Sequence, residues 1–115
     1  MKQTLLSLVV LILFASCGSL KSTTYIKPYD EFILGNNKHG SFKANLENIS
    51  MLPIEIYLAP IDGGTHSPQT VAVNKIVQVK VSPNTALVIS NKSGDTVAVS
   101  LKVNGDIGLS MGYKN

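Results

Sequence analysis

Apolar and polar residues alternate along much of this chain. Five segments show the pattern, at residues 42–48, 54–58, 77–82, 97–103 and 107–113. In each of them an apolar side chain occupies every second position, and most of the residues between are polar or small. Side chains of an extended strand point alternately to its two faces. The alternation therefore predicts β-strands that are buried on one face and exposed to water on the other.

Three further segments predict strands without strict alternation. Residues 85–90 are apolar on both faces, which suits a central position in a sheet, and short strands are expected around Phe32–Leu34 and Val71–Val73. No window of ten or more residues after Cys17 keeps a helical apolar stripe. Seven or eight short strands at about ten-residue spacing predict an all-β domain, a single antiparallel β-sandwich or small barrel.

The last two alternating segments are predicted to form a hairpin. A two-residue turn at 104–105 would place their apolar side chains on opposite faces, whereas a three-residue turn at 104–106 places them on the same face. The three-residue turn is therefore favoured. The residues then expected on one buried face are Val99, Leu101, Leu109 and Met111.

The first 17 residues have a different pattern. Lys2 precedes an apolar run from Leu5 to Ala15, and Ser16 leads to Cys17, the only cysteine. A charged start, an apolar run and a small-residue zone are typical of a secretory signal. The run is shorter than the roughly 20 apolar residues that span a bilayer. We therefore expect the protein to be exported. The segment is either an ordinary signal, cleaved to leave a soluble protein, or the signal of a protein that is anchored by lipids on Cys17.

The residues Leu-Phe-Ala-Ser-Cys at 13–17 resemble the lipobox of bacterial lipoproteins, in a Bacteroidota-like form. The resemblance implies that residues 1–16 are removed as a signal peptide and that Cys17 takes a diacylglycerol thioether. The new amino terminus would carry a further acyl chain such as palmitate. Stable anchoring takes at least two chains, so this cysteine would hold the protein firmly on a membrane. Residues 17–24 are interpreted as the lipidated cysteine and a flexible tether, and 25–115 as the β-sandwich domain.

The residues behind the cysteine predict where the anchor lies. Gly18 stands where an aspartate would resemble an inner-membrane retention signal. The segment 18–24 also lacks the acidic residues that resemble a surface-export signal in Bacteroidota lipoproteins. We therefore expect an outer-membrane anchor that faces the periplasm.

Composition narrows the range of partners. Removal of residues 1–16 from the 115-residue chain leaves 99, enough for one domain, with nine lysines, seven acidic residues and no arginine. Arginine usually makes the bidentate contacts to phosphate and guanine, so its absence argues against a nucleic-acid partner. With no cysteine besides Cys17, the fold must depend on its apolar core.

Candidate chemistry centres on the longest predicted loop, 59–69, which carries Asp62 and His66 between two prolines. Together with an exposed Tyr57, these residues are the candidate ligand-binding set for a glycan or small molecule. The spacing of Asp62 and His66 matches no metal-ligand signature, even with His39 as a third ligand. The chain also has no G-x-S-x-G nucleophile motif. We therefore predict no catalytic residue, no metal site and no cofactor.

Two other features are candidate sites. Gly108, Ser110 and Gly112 leave one face of the last predicted strand bare, and glycine inside a strand indicates close approach of another backbone. That neighbour is expected to be the segment 25–29 or the edge of a partner protein. The tripeptide Asp-Thr-Val at 95–97 resembles the O-glycosylation acceptor of Bacteroidota, which implies modification of Thr96.

The favoured interpretation is a small cell-envelope lipoprotein whose β-domain is an interaction or structural module without catalytic activity. It would bind a membrane through its lipid anchor and an envelope protein through its surface. Two alternatives stay open: a lipoprotein that binds a glycan or small ligand through the loop 59–69, and a minor envelope enzyme. The sequence does not fix the oligomeric state.

Overall fold

The computed structural model describes residues 18–115, and in this part of the chain the protein is all-β, as predicted. No helix there is long and apolar enough to cross a membrane. Cys17 and the predicted signal peptide lie outside the described residues. The nine strands, one or two more than expected, are β1 Ser19–Ile26, β2 Glu31–Leu34, β3 Phe42–Asn48, β4 Ile54–Pro60, β5 His66–Val71, β6 Ile76–Val81, β7 Thr85–Ser90, β8 Val97–Gly105 and β9 Met111–Tyr113.

The strands form two antiparallel sheets. Sheet A has the order β1-β8-β3-β6, and sheet B has the order β5-β4-β7-β2-β9. The first eight strands pair in a nested way, β1 with β8, β2 with β7, β3 with β6 and β4 with β5. Such a long ribbon wound into two sheets has the jelly-roll topology. The structure therefore resolves the predicted choice of sandwich or barrel in favour of a β-sandwich, with β9 added beside β2.

Apolar side chains from both sheets fill the space between them. The alternating segments of β3, β4 and β8 bury their apolar positions as predicted, and β7 is buried on both faces. Seventeen buried residues form one continuous core cluster. Since each buried aliphatic side chain stabilises the fold by about 1.5–3 kcal/mol, this cluster supplies the main favourable term.

The connecting loops lie at two opposite ends of the sandwich. Loops 35–41, 61–65, 82–84 and 106–110 lie at the end where β8 finishes, which we name the Gly105 end. Loops 27–30, 49–53, 72–75 and 91–96 lie at the other, which we name the Asn91 end. The two ends carry different surfaces, described below.

A buried asparagine organises the turn between β7 and β8. Asn91 is 1% exposed, and its Nδ2 donates to the carbonyl oxygens of Ile26, Lys27 and Asp95 at 3.0, 3.0 and 2.7 Å. Its Oδ1 accepts hydrogen bonds from the backbone N–H and the hydroxyl of Ser93. One side chain thus closes its own turn and ties it to the end of β1.

The turn between β3 and β4 repeats this arrangement. Asn48 is fully buried, and its Nδ2 donates to the carbonyl oxygens of Leu52 and Val71. Its Oδ1 accepts from the backbone and hydroxyl of Ser50, as the Oδ1 of Asn91 does from its own serine. The two Asn-x-Ser tripeptides are therefore matching structural turns in the two halves of the jelly roll.

The predicted tether at 17–24 is not a tether from Ser19 onward. Residues Ser19 to Ile26 form β1, which pairs with β8 along its full length, from Asn104 to Val97. Hydroxyl-bearing side chains occupy two of its inward positions, so the segment carries a weak apolar signal. Backbone pairing with the edge of β8, which no sequence period reveals, makes it a strand.

The predicted hairpin between 97–103 and 107–113 is wrong. Strand β8 pairs with β1 on one side and β3 on the other, so it has no free edge for a hairpin partner. The chain instead crosses to sheet B, where only Met111–Tyr113 pair, with β2. Val99 and Leu101 are buried as expected and Leu109 is half-buried against the core, but Met111 is 46% exposed.

Gly105 makes this crossing possible. Its φ is +109°, a conformation that favours glycine, and a Cβ there would lie 2.9 Å from the carbonyl oxygen of Ser41. Its backbone N–H donates to the carbonyl oxygen of Gly18 at 3.2 Å. The start of β1 and the end of β8 are thus fixed together at one corner of sheet A.

Candidate functional site

Four lysines lie on the outer face of sheet A toward the Gly105 end. Lys21 on β1 is directly opposite Lys102 on β8, and Lys43 on β3 is directly opposite Lys80 on β6. All four side chains are exposed. They stand at the polar positions of alternating strands whose apolar positions face the core, so the pleat directs them outward. We name this surface the basic face.

The basic face continues into an open groove at the Gly105 end. The groove has a volume of about 520 Å³ and is lined by Lys43 and Lys80 together with Asn104, Ser82 and Pro83, among others. Two lysines, an amide and the apolar ring of Pro83 meet there. This combination fits an anionic group attached to an apolar body.

The charges of the basic face are not balanced internally. Within residues 18–115 none of the four lysines forms an ion pair. At sheet B, by contrast, Nζ of Lys92 lies 2.7 Å from Oε2 of Glu55, and Nζ of Lys114 lies 4.0 Å from Oε1 of Glu31. Like charges directly opposite one another on neighbouring strands destabilise a sheet. The acidic residue on the same face, Glu47, lies nearer the Asn91 end.

One carboxylate lies close to the groove. Asp106 follows Gly105, and its two oxygens accept hydrogen bonds from the backbone N–H groups of Gly40 and Gly108 at 2.6 and 2.8 Å. These two bonds hold the pKa of the Asp106 carboxyl below its usual range. Its charge is engaged in closing the neighbouring loops.

A second surface, at the Asn91 end, is apolar. Tyr25, Ile49 and Met51 are 63%, 44% and 88% exposed. Tyr25 is opposite Ala98 in sheet A, and the backbone N–H of Ile49 donates to the carbonyl oxygen of Ala98. A groove of about 540 Å³ lies here, lined among others by Tyr25, Met51 and Thr96. We name it the apolar patch, and exposed clusters of Tyr and Met are typical of protein contact surfaces.

The predicted ligand-binding set does not converge. Tyr57 lies on the outer face of β4 and crosses β7, so that its Oη donates to Oε2 of Glu31 on β2 at 2.8 Å. Burial and this carboxylate raise the pKa of Tyr57 to about 12. His66 is exposed on β5, on the other side of β4, with its Nδ1 2.9 Å from the hydroxyl of Ser67. Asp62 is exposed in the loop between β4 and β5.

The predicted loop 59–69 is also shorter than expected, because β4 extends to Pro60 and β5 begins at His66. The strand expected at Val71–Val73 ends at Val71. His39, considered as a third metal ligand, is 9% exposed and has both ring nitrogens on backbone carbonyl oxygens, of Gly40 and of Thr85. Within residues 18–115 no three His, Cys, Asp or Glu side chains are grouped as metal ligands are.

The predicted partner edge divides into two parts. The backbone groups of Gly108 and Ser110 are used within the chain, since Asn37 donates to the carbonyl oxygen of Gly108 and accepts from the N–H of Ser110. Gly112 lies in β9, the last strand of sheet B, with open space where a Cβ would stand. The Oη of Tyr113 donates to the carbonyl oxygen of Tyr25, so the 25–29 segment does meet this strand.

Thr96, the predicted O-glycosylation residue, is exposed directly before β8 and lines the groove of the apolar patch. Its modification stays a prediction. The basic face was not predicted from the sequence. Lys43, Lys80 and Lys102 all stand at polar positions of predicted strands, so the sequence predicts that they are exposed. Which lysines lie opposite one another depends on the register between strands, which only the structure provides.

Solved structures match this fold, whereas no family model and no curated relative matches the sequence. The capsular polysaccharide assembling protein CapF from Staphylococcus aureus aligns with a TM-score of 0.56 and 17% identity over 76% of this chain and 25% of its own. A conserved protein with a double-stranded β-helix domain from Klebsiella pneumoniae aligns with a TM-score of 0.55 and 12% identity, covering 83% and 75%. A cupin domain of an XRE family transcriptional regulator from Enterobacter cloacae gives 0.52 and 14%, covering 78% and 84%.

These likenesses show the fold alone. The chain is a small β-sandwich with jelly-roll topology, and its fold is similar to those of cupin and double-stranded β-helix domains. It spans 25% of the length of CapF. A fold of this kind carries many unrelated functions, so function has to be argued from the surfaces of this chain.

Proposed function

We propose that this protein is a small cell-envelope lipoprotein, anchored through lipids on Cys17 in the outer membrane and facing the periplasm. Its jelly-roll domain serves as a binding or structural module without catalytic activity. The lipobox-like residues 13–17 support the anchor.

The exposed apolar patch is the main support for the proposed binding role. Tyr25, Ile49 and Met51 leave apolar surface in water at the Asn91 end, where burial against a partner would be favourable. The inside of the sandwich is filled by the core cluster, so a partner binds on an outer surface. The patch lies at the end opposite the corner where the chain enters β1. A membrane-anchored domain would therefore present it toward the periplasm.

The anchor is tested by Cys17→Ser with Ser16→Ala as the matched control. We expect Cys17→Ser to accumulate as unprocessed precursor without acyl-chain labelling. Ser16→Ala keeps a small residue before the cysteine and should be processed normally. Cleavage and release of Cys17→Ser as soluble protein at the normal rate would show that the anchor proposal is wrong.

The binding role is tested by a photocrosslinking residue placed at Met51 in intact cell envelopes. We expect one discrete crosslinked protein, and Tyr25→Ser should reduce its yield because it removes the neighbouring aromatic ring. Thr23→Ser, two residues earlier on the same outer face of β1, is the matched control and should leave the yield unchanged. A tight soluble ligand found by thermal-shift screening, with no crosslinked protein, would contradict the proposal that the apolar patch binds a protein partner.

A further inference from the structure

The place where the chain enters the fold is fixed. The carbonyl oxygen of Gly18 accepts the N–H of Gly105 at 3.2 Å, and Ser19 is already opposite Asn104 in sheet A. Gly18 directly follows Cys17 in the chain. Lipids on Cys17 would therefore enter the bilayer beside the Gly105 end, with no tether between membrane and domain.

The basic face begins at the same corner. Lys43 and Lys80 lie in the row of residues that contains Ser19, and Lys21 and Lys102 lie two residues further along the strands. With strands about 4.8 Å apart and a rise of about 3.3 Å per residue, these four Cα atoms lie within roughly 15 Å of Ser19. Lys21, Lys43 and Lys102 thus lie within about 10 Å of the corner, which is the distance over which charges interact at physiological salt, and Lys80 lies one strand further away.

The unpaired positive charge on this face favours the binding of an external anion. The two directly opposed lysine pairs destabilise sheet A, and the described residues offer them no ion pair. The groove lined by Lys43 and Lys80 combines two cationic residues with the apolar ring of Pro83. Phosphate on an apolar body has the matching chemistry.

We propose that the basic face docks on anionic phospholipid headgroups of the membrane that holds Cys17, and that the groove at Lys43 and Lys80 receives a headgroup phosphate. The inference rests on the proposed lipid anchor and adds an orientation to it. Sheet A then lies toward the bilayer at the Gly105 end, and the apolar patch at the Asn91 end is turned away. One anchored cysteine and one basic surface together hold the domain in a single pose.

The test is a lysine footprint of the mature lipidated protein in vesicles. An amine-reactive reagent is applied in vesicles of phosphatidylcholine alone and in vesicles with about 30% phosphatidylglycerol, enough to give a negative surface potential. Mass spectrometry reads each lysine separately and reports the acyl chains on Cys17 in the same sample. The internal controls are the lysines at the Asn91 end, Lys27, Lys75, Lys92 and Lys114.

We expect labelling of Lys21, Lys43, Lys80 and Lys102 to fall about fivefold in anionic vesicles, because an anionic surface attracts each nearby lysine by about that factor in population. The control lysines should change little, and about 0.5 M salt should restore labelling of the basic face by screening. The double variant Lys43→Gln/Lys80→Gln should lose the protection of Lys21 and Lys102. Its matched control, Lys27→Gln/Lys75→Gln, should keep it.

The outcomes separate the two proposals. Equal labelling of the basic face in both vesicle types, with Cys17 acylated, would overturn the docking surface and leave the anchor intact. A mature protein without acyl chains would overturn the anchor and the docking surface together. Protection of the basic face by a soluble anionic polysaccharide, but not by anionic vesicles, would overturn docking in favour of a glycan ligand.

Discussion

Replacing Asn91 by alanine should cost much of the stability of this domain. The Nδ2 group of Asn91 serves three carbonyl oxygens, and its Oδ1 accepts two hydrogen bonds from Ser93 at 2.9 and 2.7 Å. Each net hydrogen bond contributes about 1 kcal/mol, and a buried carbonyl left without a donor costs about 1–3 kcal/mol. Since the emptied turn admits some water, we expect a loss of about 2–4 kcal/mol, against a typical total of about 5–15 kcal/mol.

Urea unfolding of the mature chain, followed by circular dichroism, measures this loss. With a slope of about 1.5 kcal/mol per molar, the midpoint should fall by about 1–3 M at unchanged slope. Asn45→Ala, on the outer face of β3, is the control and should change stability by less than about 0.5 kcal/mol. Asn91→Asp keeps the shape and the acceptor but removes the donor, so it should be at least as unstable as Asn91→Ala.

Unfolding of Asn91→Ala at the same urea concentration as Asn45→Ala would contradict the predicted contribution of these hydrogen bonds. Asn91→Asp as stable as the unchanged protein at neutral pH would also contradict it, since the three carbonyl contacts would then contribute nothing. Parallel measurements on Asn48→Ala extend the test, because the two asparagines make the same kind of turn.

Three more predictions use the same unfolding assay. Leu101→Ala should cost about 2–5 kcal/mol because its side chain is 3% exposed in the central strand β8, whereas Lys102→Ala should cost under about 0.5; equal costs would contradict the assignment of faces. Lys43→Glu, which places an acid opposite Lys80, should stabilise sheet A by about 0.2–1 kcal/mol, and a loss would refute the repulsion between opposed lysines. The pKa of Tyr57 is raised from 10.0 to about 12, so the contribution of Tyr57 to the stability of the fold is complete below pH 10 and declines as pH rises from 10 toward 12. Tyr57→Phe should not show that additional decline in stability.

Sequence alone determined the fold class and which face of most strands is buried. Alternation in β3, β4 and β8 is a local property, because the direction of each side chain follows from the pleat of its own strand. Exposure of Lys43, Lys80 and Lys102 follows from the same rule. These features need no knowledge of which strand lies next to which.

Only the tertiary structure decided the strand partners and therefore the surfaces. Residues 97–103 and 107–113 have matching apolar periods, yet β8 had both its edges occupied by strands distant in sequence, so the hairpin did not form. Residues 19–24 form a strand because their backbone pairs with β8, and the Asn-x-Ser tripeptides form buried turns because their side chains bind carbonyl groups of distant residues.

The same physical reason separates the basic face from its lysines. Four exposed lysines are ordinary in a sequence, but register across four strands sets them in opposed pairs beside the corner that holds Gly18. Hydrogen bonds between strands are made by the backbone, which is chemically alike at nearly every residue. Partner choice is therefore settled by the packing of the whole sandwich, while the sequence period settles only which side of each strand faces it.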